Sequence, residues 1–218
     1  MEEQAMLTVH HLGKSQSERI VWLCEELGIP YALKHYTRDA VTMLSPPELR
    51  ALHPIGAAPV ITEGEVLLAE SAAIMEYILA RHGGGRLAPG PEAPEFADYL
   101  YWFHFTNGTL QPVLGRLMLL NRAGLPADHK VLLAAQERRE RALGHLERRV
   151  AAQPWLAGRD FTAADIMIGF TLTTMRYFSP VDLTPYPAIR AYLQRIAARP
   201  AYQRAMAKGD PGMPLLLD

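Results

Sequence analysis

The stretch Ala58–Ser71, APVITEGEVLLAES, contains the residues that decide the fold. Its two short apolar runs flank Glu63–Gly64, a pattern that predicts a β-hairpin. Pro59 precedes the first run, and because proline lacks a backbone N–H it belongs at the start or the edge of a strand. Glu70–Ser71 follows the second run, where the spacing of apolar residues changes to that of a helix. The stretch therefore predicts a strand–turn–strand–helix unit.

The two ends of this stretch also have the chemistry to hold the amino-acid end of a peptide. A cis bond before Pro59 would turn the backbone outward and expose amide and carbonyl groups to an extended peptide. Free N–H groups at the helix start favour a carboxylate, the Ser71 hydroxyl adds a donor, and Glu70 suits an ammonium group. A simpler interpretation stays open, with Pro59 as a strand-edge proline and Ser71 as a helix cap.

Three segments before this stretch predict a βαβ unit. Leu7–His11 alternates as a strand does, Ser15–Gly28 repeats apolar residues at helical spacing, and Tyr31–Tyr36 is predicted as a second strand. The strands of such a unit lie parallel. With a short helix within Ser45–Leu52 and a helix over Ser71–His82, the predicted order is βαβαββα.

The remainder of the chain has a helical pattern. Gly83–Pro94 is rich in Gly, Pro and Ala, which is typical of a linker. Beyond it, apolar residues at three- and four-residue spacing predict helices over Phe96–Arg122, Val131–Val150, Phe161–Tyr177, Pro187–Ala198 and Ala201–Lys208. We therefore predict an α/β domain over residues 1–84, a linker over 85–94 and an all-helical domain over 95–218.

Composition excludes several classes of function. Lys and Arg number 22 against 23 Asp and Glu, so the surplus of cations that nucleic-acid or polybasic membrane binding needs is missing. The single cysteine, Cys24, excludes an internal disulfide and a cysteine-built zinc site, and the histidines lack metal-site spacing. No run of about 18 apolar residues predicts a membrane span. The acidic Met1–Met6 predicts no signal peptide, so a cytoplasmic location is expected.

Pro59–Val60 and Glu70–Ser71, at this spacing within a βαβαββα order, resemble the thioredoxin-fold domain of cytosolic glutathione S-transferases. The helical half resembles the C-terminal domain of that family. Thr162 and Asp165 have the spacing of its capping box, and Arg199–Tyr202 is similar to its C-terminal signature. The resemblance implies an α/β plus all-α fold, in which an N-terminal thioredoxin-like domain precedes a helical domain.

The resemblance also implies how glutathione binds. Pro59 is expected to be cis, and the backbone of Val60 is expected to pair with the cysteinyl unit of glutathione. Glu70 and Ser71 are expected to bind its γ-glutamyl end.

The group that activates the glutathione thiol is predicted in the loop after the first strand. A thiol with a pKa of about 8.5 is mostly protonated at neutral pH, and a hydroxyl donating to sulfur beside a helix start lowers that pKa. The segment His11–Trp22 resembles bacterial and fungal members with a Ser-x-Ser loop, which implies Ser15 as the activating residue, with Ser17 or His10 as the fallback. The alternative for Ser15 is a helix cap. Cys24 lies on the apolar face of the helix and is predicted to be a buried structural thiol.

Family members often carry Lys or Arg between the glycine and the Pro-Val pair, where it meets the glycine carboxylate of glutathione. This chain has Gly56–Ala58 there and lacks the charge. His53, Lys14 and Arg19 are candidate replacements, and His53 is counted among the predicted glutathione-binding residues. A weaker affinity for glutathione is expected.

Aromatic residues crowd the start of the first long helix, which in this family lines the pocket for the second substrate. Tyr101 and Phe105 are candidates for that pocket, with packing in the core or in a dimer as the alternative. The resemblance implies a homodimeric, metal-free transferase that joins glutathione, its co-substrate, to small hydrophobic electrophiles. Two alternatives stay open: a glutathione-dependent isomerase, peroxidase or ether-cleaving enzyme of the same fold, and a non-catalytic binding protein.

Overall fold

The computed structural model describes residues 5–218, which form two compact units. The first runs to Ala88 and includes Ala197–Pro214, and the second comprises Pro89–Ile196 with the last four residues. Segment 1–4 lies outside the described residues. The start of the predicted first domain falls on that segment, as does most of the stretch that predicts no signal peptide.

The helices and strands follow the predicted order. In chain order they are β1 (Thr8–Leu12), α1 (Glu18–Leu27), β2 (Ala32–Tyr36), α2 (Pro47–Arg50), β3 (Val60–Glu63), β4 (Val66–Ala69), α3 (Ser71–His82), α4 (Phe96–Phe105), α5 (Gln111–Arg122), α6 (Lys130–Ala152), α7 (Ala163–Leu172), α8 (Pro187–Ala197) and α9 (Pro200–Gly209). The elements from β1 to α3 confirm the βαβαββα order, although α1 begins later than the sequence predicts.

The first unit is built on a mixed sheet with the strand order β2-β1-β3-β4. β1 and β2 are parallel, as a βαβ unit requires, and β3 is antiparallel to both β1 and β4. Val60, at the start of β3, is paired with His10 of β1 and with Ala69 at the end of β4. Consequently the end of β1, the start of β3 and the end of β4 meet at the same end of the sheet.

The last helix of the chain completes the first unit. Tyr202 of α9 packs edge to face on Trp22 of α1, with 4.8 Å between the ring centroids, and both side chains are buried. The predicted domain boundary at 95–218 stays a prediction. The two compact units are divided differently, because α9 packs on α1 and Ala197–Pro214 therefore belongs to the first unit.

The second unit is helical, as predicted, but two of the predicted helices are interrupted. The helix predicted over Phe161–Tyr177 is α-helical only over Ala163–Leu172 and is followed by a 3₁₀ turn over Thr174–Tyr177. The single helix predicted over Phe96–Arg122 is divided into α4 and α5, which are joined by a π-helical turn over Thr106–Leu110. Pro112 lies in the first turn of α5 and has no N–H to donate to the preceding turn. A missing donor interrupts the regular hydrogen-bond ladder, which accounts for the wider turn at this point.

α7 is the central helix of the second unit, and all of its residues are buried. This burial agrees with its largely apolar sequence. Thr162 and Asp165 form a capping box at its start, which confirms that prediction. Among the helices of residues 5–218, none combines the length and the apolar composition needed to cross a membrane.

Candidate functional site

The peptide bond between Ala58 and Pro59 is cis, as the resemblance implies. Pro59 precedes the first residue of β3, which is an interior strand, so it is a strand-start proline and not an edge-strand proline. Val60 is fully buried and is paired with strands on both sides. The half-buried Ala58 lies outside the sheet, directly before the cis bond. Peptide pairing by Val60 stays a prediction, and Ala58 joins it as a candidate.

Glu70 and Ser71 lie at the same end of the sheet, directly after β4. The Glu70 backbone has φ 71° and ψ 116°, a conformation that costs a non-glycine residue about 1–3 kcal/mol and is concentrated at functional sites. The Glu70 side chain is exposed, whereas Ser71 is buried as the first residue of α3. The turn thus places a carboxylate next to a helix start, and these two groups suit an ammonium and a carboxylate respectively.

Arg19 and Gln16 connect the start of α1 to Ser71. The Arg19 guanidinium donates to Ser71 Oγ at 3.1 Å and to Gln16 Oε1, and Ser71 Oγ donates to Gln16 Oε1 at 3.3 Å. Arg19 is fully buried; burial lowers its pKa to about 9, and Glu18 opposes part of this shift. The sequence suggests Arg19 as a replacement for the cation missing at Gly56–Ala58. The structure instead places its guanidinium beside Ser71, at the predicted γ-glutamyl end.

Two serines lie in the turn between β1 and α1. Because α1 begins at Glu18, Ser17 occupies the N-cap position and Ser15 lies two residues earlier. The alternative of Ser15 as a cap stays open, because its side chain accepts a backbone N–H of the turn that leads into α1. Ser15 Oγ lies 2.7 Å from Ser17 Oγ and accepts the Ser17 N–H at 3.2 Å. Ser17 is fully buried and Ser15 is 7% exposed, which makes Ser15 the outer hydroxyl of the pair.

The two histidines of β1 face opposite sides of the sheet. His10 Nδ1 lies 2.9 Å from Tyr36 Oη and its Nε2 lies 3.2 Å from Thr62 Oγ1, and burial lowers its pKa. His11, on the other face, has Nδ1 3.0 Å from Ser17 Oγ. The histidine that contacts the serine pair is therefore His11. Assistance by His10 stays a prediction, and the contacts of its ring tie it to β2 and β3.

Asp210, directly after α9, completes this group of polar side chains. Its Oδ2 lies 3.3 Å from His11 Nε2, and its Oδ1 accepts the Lys14 N–H at 2.9 Å. Burial would raise the pKa of Asp210, but the contacts with His11 and Lys14 outweigh it and hold this pKa below its ordinary value. Sequence reasoning missed Asp210, which is 196 positions away from Lys14 in the chain.

Lys14 and His53, the other two candidates for the missing cation, lie in loops of the first unit. Lys14 is exposed and directly precedes Ser15, with its backbone at φ 54°. His53 is half-buried, and its Nδ1 accepts the Ile55 N–H at 3.3 Å, in the loop that leads to Pro59. Both remain candidates for binding the glycine carboxylate of glutathione.

Tyr101 and Phe105 lie in the second unit and line different cavities there. Tyr101 is exposed, and its hydroxyl lies 3.0 Å from His145 Nε2 beside a cavity of about 560 Å³. Phe105 is buried and lines a cavity of about 440 Å³. The two rings stack with 5.8 Å between their centroids. Their role in a second-substrate pocket stays a prediction.

Two further kinds of chemistry bear on this site, a metal ion held by the chain and a nucleophilic protein thiol. In the part of the chain that the structure describes, no group of three or more His, Cys, Asp or Glu side chains is arranged to hold a metal ion. Cys24 is fully buried, and burial raises the pKa of its thiol. This confirms Cys24 as a buried structural thiol and excludes it as a nucleophile.

Comparison with known families assigns both halves of the chain. Residues 5–80 match the N-terminal domain of glutathione S-transferase, and residues 109–200 match the C-terminal domain. The chain belongs to the glutathione S-transferase family. The predicted combination of a thioredoxin-like domain with a helical domain is thereby confirmed as the fold of this family.

Proteins similar to this chain are named for different activities. The chain is 29% identical to glutathione S-transferase 3 of Schizosaccharomyces pombe, over 93% of this chain and 88% of the relative. A crystal structure of a glutathione S-transferase from Actinobacillus pleuropneumoniae has a TM-score of 0.86 at 31% identity, covering 94% of this chain and 93% of the other. Escherichia coli YfcG, named a disulfide-bond oxidoreductase, is 30% identical over 95% of this chain and 97% of the relative. The chain is therefore similar to proteins with two different named activities.

Proposed function

We propose that this chain binds glutathione in its first unit and transfers the glutathione thiolate to small hydrophobic electrophiles. The observation that supports this most strongly is the meeting of three features at one end of the sheet. They are the cis bond between Ala58 and Pro59, the strained Glu70–Ser71 turn and the Ser15–Ser17 turn. Each feature suits a different part of a glutathione molecule.

The γ-glutamyl end binds at the start of α3. The Glu70 carboxylate receives the ammonium group, and the backbone N–H groups after Ser71 receive the α-carboxylate. The buried Arg19 holds the Ser71 hydroxyl and adds positive charge behind it. The cysteinyl unit pairs with the backbone on either side of Pro59, and His53 or Lys14 meets the glycine carboxylate.

The reaction needs little from the protein beyond orientation and stabilisation of the thiolate. Ser15 donates its O–H to the sulfur, which lowers the pKa of the thiol. The thiolate then attacks an electrophilic carbon; a C–S bond forms, and the electron pair departs with the leaving group. A homodimer, a cytoplasmic setting, and a second-substrate role for Tyr101 and Phe105 belong to the same proposal.

Calorimetric titration with glutathione, followed by the Ser15→Ala variant, tests this proposal. Loss of the Ser15 donor is expected to lower kcat/KM for conjugation about a hundredfold, with a small effect on glutathione affinity. Ser45→Ala, in a loop of the same unit, is the matched control and is expected to behave as the wild type. Absence of glutathione binding by the wild type would overturn the proposal. Unchanged thiolate absorbance in the Ser15→Ala complex would remove Ser15 from the mechanism.

The 30% identity to a disulfide-bond oxidoreductase of Escherichia coli supports a second candidate function. In that reaction the glutathione thiolate attacks a disulfide, forms a mixed disulfide and expels a thiolate, and a second glutathione resolves the product. Since Cys24 is buried, the attacking thiolate and the resolving thiolate would both come from glutathione. Measuring turnover of an aryl halide and of a small disulfide by the same preparation separates the two reactions. Binding without either turnover would instead favour a non-catalytic binding protein.

A further inference from the structure

Four polar side chains of the first unit form a continuous chain that leads to Ser15, and we call it the Asp210–Ser15 relay. The distances are 3.3 Å from Asp210 Oδ2 to His11 Nε2, 3.0 Å from His11 Nδ1 to Ser17 Oγ, and 2.7 Å from Ser17 Oγ to Ser15 Oγ. His11 and Ser17 are fully buried, whereas Ser15 retains some exposure. The relay therefore ends at the hydroxyl that the proposed function places beside the sulfur of glutathione.

Close packing holds Asp210 and His11 in this arrangement. A Cβ on Gly209 would come within 3.1 Å of His11 Cε1, and a Cβ on Gly13 would come within 3.1 Å of Asp210 Oδ1. The Lys14 N–H fixes the same carboxylate oxygen at 2.9 Å. The two glycines thus permit the end of α9 to approach the end of β1 closely.

The Asp210 carboxylate decides which nitrogen of His11 carries a proton. Burial would raise the pKa of Asp210, but the contacts with His11 and Lys14 outweigh it and hold this pKa below its ordinary value. An ionised carboxylate only accepts hydrogen bonds, so His11 Nε2 must carry a proton. Asp210 Oδ2 and His11 Nε2 are both buried and have no hydrogen-bond partner within residues 5–218, so the 3.3 Å contact between them is the one that can satisfy both atoms.

With His11 neutral, the hydroxyl protons of the relay point inward. His11 Nδ1 is then an acceptor, so the Ser17 O–H donates to it. The 2.7 Å contact between the two hydroxyls then requires the Ser15 O–H to donate to Ser17 Oγ. A Ser17 O–H turned instead to the Leu12 carbonyl, at 3.3 Å, leaves Ser15 in the same orientation. In this state Ser15 offers a ligand a lone pair and no proton.

With both nitrogens of His11 protonated, the relay reverses. His11 Nδ1–H donates to Ser17 Oγ, and the Ser17 O–H donates to Ser15 Oγ. The Ser15 O–H is then released to donate outward. The heavy atoms stay in place, and the two states differ by one proton, which is the number that a thiol loses on ionisation.

We propose that His11 takes up the thiol proton of glutathione through Ser15 and Ser17, and that Asp210 positions and stabilises the resulting imidazolium. The inference rests on the proposed function. The S–H bond breaks as its proton passes to Ser15 Oγ, the Ser15 proton passes to Ser17 Oγ, and the Ser17 proton passes to His11 Nδ1. A thiolate and an imidazolium result, so the net charge of the site is unchanged. Ser15 is the residue that touches sulfur, and the other three are positioning residues.

Further charged and titratable groups face the relay from the neighbouring elements. They are His35 of β2, whose ring centroid lies 5.5 Å from that of His11, Lys14 in the turn after β1, Arg38 after β2, and Glu18 in the first turn of α1. A pH profile sums the titrations of all of them. The proton count at a single pH also sums these groups, so the His11→Gln and Asp210→Asn variants are needed to assign it to the relay.

The decisive experiment counts the protons that leave the protein when glutathione binds. Wild-type protein is titrated calorimetrically at about pH 7.5, below the ordinary pKa of a thiol, in two buffers of different ionisation enthalpy. Ultraviolet absorbance of the bound thiolate is measured on the same samples. We expect thiolate to form without net proton release, because His11 keeps the proton. Release of one proton per thiolate formed would overturn the proposal.

His11→Gln and Asp210→Asn test the route of the proton. In both variants the thiolate fraction at this pH is expected to fall about tenfold, which corresponds to one pKa unit of the bound thiol. The thiolate that remains should release its proton to the buffer. Asp210→Asn keeps the shape of the side chain, so the route stays testable if His11→Gln fails to fold.

The matched control is His82→Gln, since His82 pairs with the buried Glu63 at 3.0 Å in the same unit. This variant is expected to give the thiolate fraction and the proton count of the wild type. If both His11→Gln and Asp210→Asn form as much thiolate as the wild type and release no more protons, the relay is overturned and the proposed function is left intact. Wild-type protein that binds no glutathione would overturn the proposed function, and the relay with it.

Discussion

The starts of α1 and α7 satisfy buried polar groups in two different ways. At α7 the Asp165 carboxylate accepts hydrogen bonds from four donors. They are the N–H of Leu156 at 2.8 Å, the N–H and hydroxyl of Thr162 at 2.9 and 3.3 Å, and the hydroxyl of Tyr192 at 2.8 Å. While the Asp165 carboxylate is ionised it only accepts, so all four partners donate to it and the protons have one arrangement.

At α1 the partners are hydroxyls and an imidazole, each of which can both donate and accept. The same positions of Ser15, Ser17 and His11 therefore allow two arrangements of protons. The comparison shows what separates a structural polar cluster from one suited to moving a proton. Hydrogen-bond distances are similar in both, and the difference lies in the central group: an ionised carboxylate fixes the direction of every hydrogen bond at α7, whereas an imidazole that can hold one or two protons does not fix it at α1.

The largest expected effect comes from Asp165→Ala, which leaves buried donors of α7 and its neighbours without an acceptor. We expect the free energy of unfolding to fall by about 3–5 kcal/mol, measured by urea denaturation. Asp160→Ala, at an exposed position nearby, is the control and should change stability by less than about 0.5 kcal/mol. Equal stability of the two variants would contradict a structural role for the α7 cluster.

The second prediction is that Asp165 and Asp210 contribute to stability with opposite dependence on pH. Burial raises the pKa of Asp165 to about 6 despite its hydrogen bonds. Between its ordinary value of 3.8 and about 6, the folded state therefore holds a proton that the unfolded state has lost. Stability contributed by this group falls as the pH rises through that window, by up to about 3 kcal/mol.

Asp210 has a folded-state pKa below its ordinary value, so its contribution is present above that value and is lost as the pH falls through the lowered pKa. Urea denaturation of the wild type, Asp165→Asn and Asp210→Asn across this pH range measures both slopes. Asp165→Asn should remove the decline between about pH 4 and pH 6. The same slope in that variant and in the wild type would show that Asp165 does not titrate there.

The smallest expected effects on stability come from removing one hydroxyl at each helix start, Ser17 at α1 and Thr162 at α7. Ser17→Ala should cost about 1–2 kcal/mol, because Leu12 N–H and His11 Nδ1 each lose a buried partner. Thr162→Ala should cost about 1 kcal/mol through its N-cap. Ionisation of bound glutathione should be impaired in the first variant and normal in the second. Impaired ionisation in Thr162→Ala would mean that loss of stability alone explains the effect.

Local spacing predicts the elements that depend on neighbours in sequence. The hairpin, the helix Ser71–His82 and the Thr162–Asp165 capping box are specified within about ten residues, and the structure has all three. The predicted helix begins at Ser15, because serine is a preferred N-cap, whereas α1 begins at Glu18. In the folded chain the turn extends to Ser17, whose Oγ accepts the Leu12 N–H at 3.1 Å and so closes the loop before the helix begins.

Contacts between distant parts of the chain could not be predicted in this way. Arg19 meets Ser71 across 52 positions, and Lys14 meets Asp210 across 196. Helical periodicity gives no sign that a cation on α1 is buried at another helix start. It gives no sign either that a carboxylate near the C-terminus reaches a histidine of the first strand. These contacts follow from sheet register and helix packing, which a single periodic pattern does not encode.

The packing of α9 on α1 has a consequence for how the protein is made. The ribosome completes the first strands and helices well before Ala197, because the whole of Pro89–Ile196 is synthesised in between. At about 10 residues per second, this delay lasts roughly 10 s. Throughout it the nascent sheet lacks the helix that covers Trp22 and the carboxylate that pairs with His11. An mRNA truncated within the codons of α9 would therefore damage the part of the protein that is translated first.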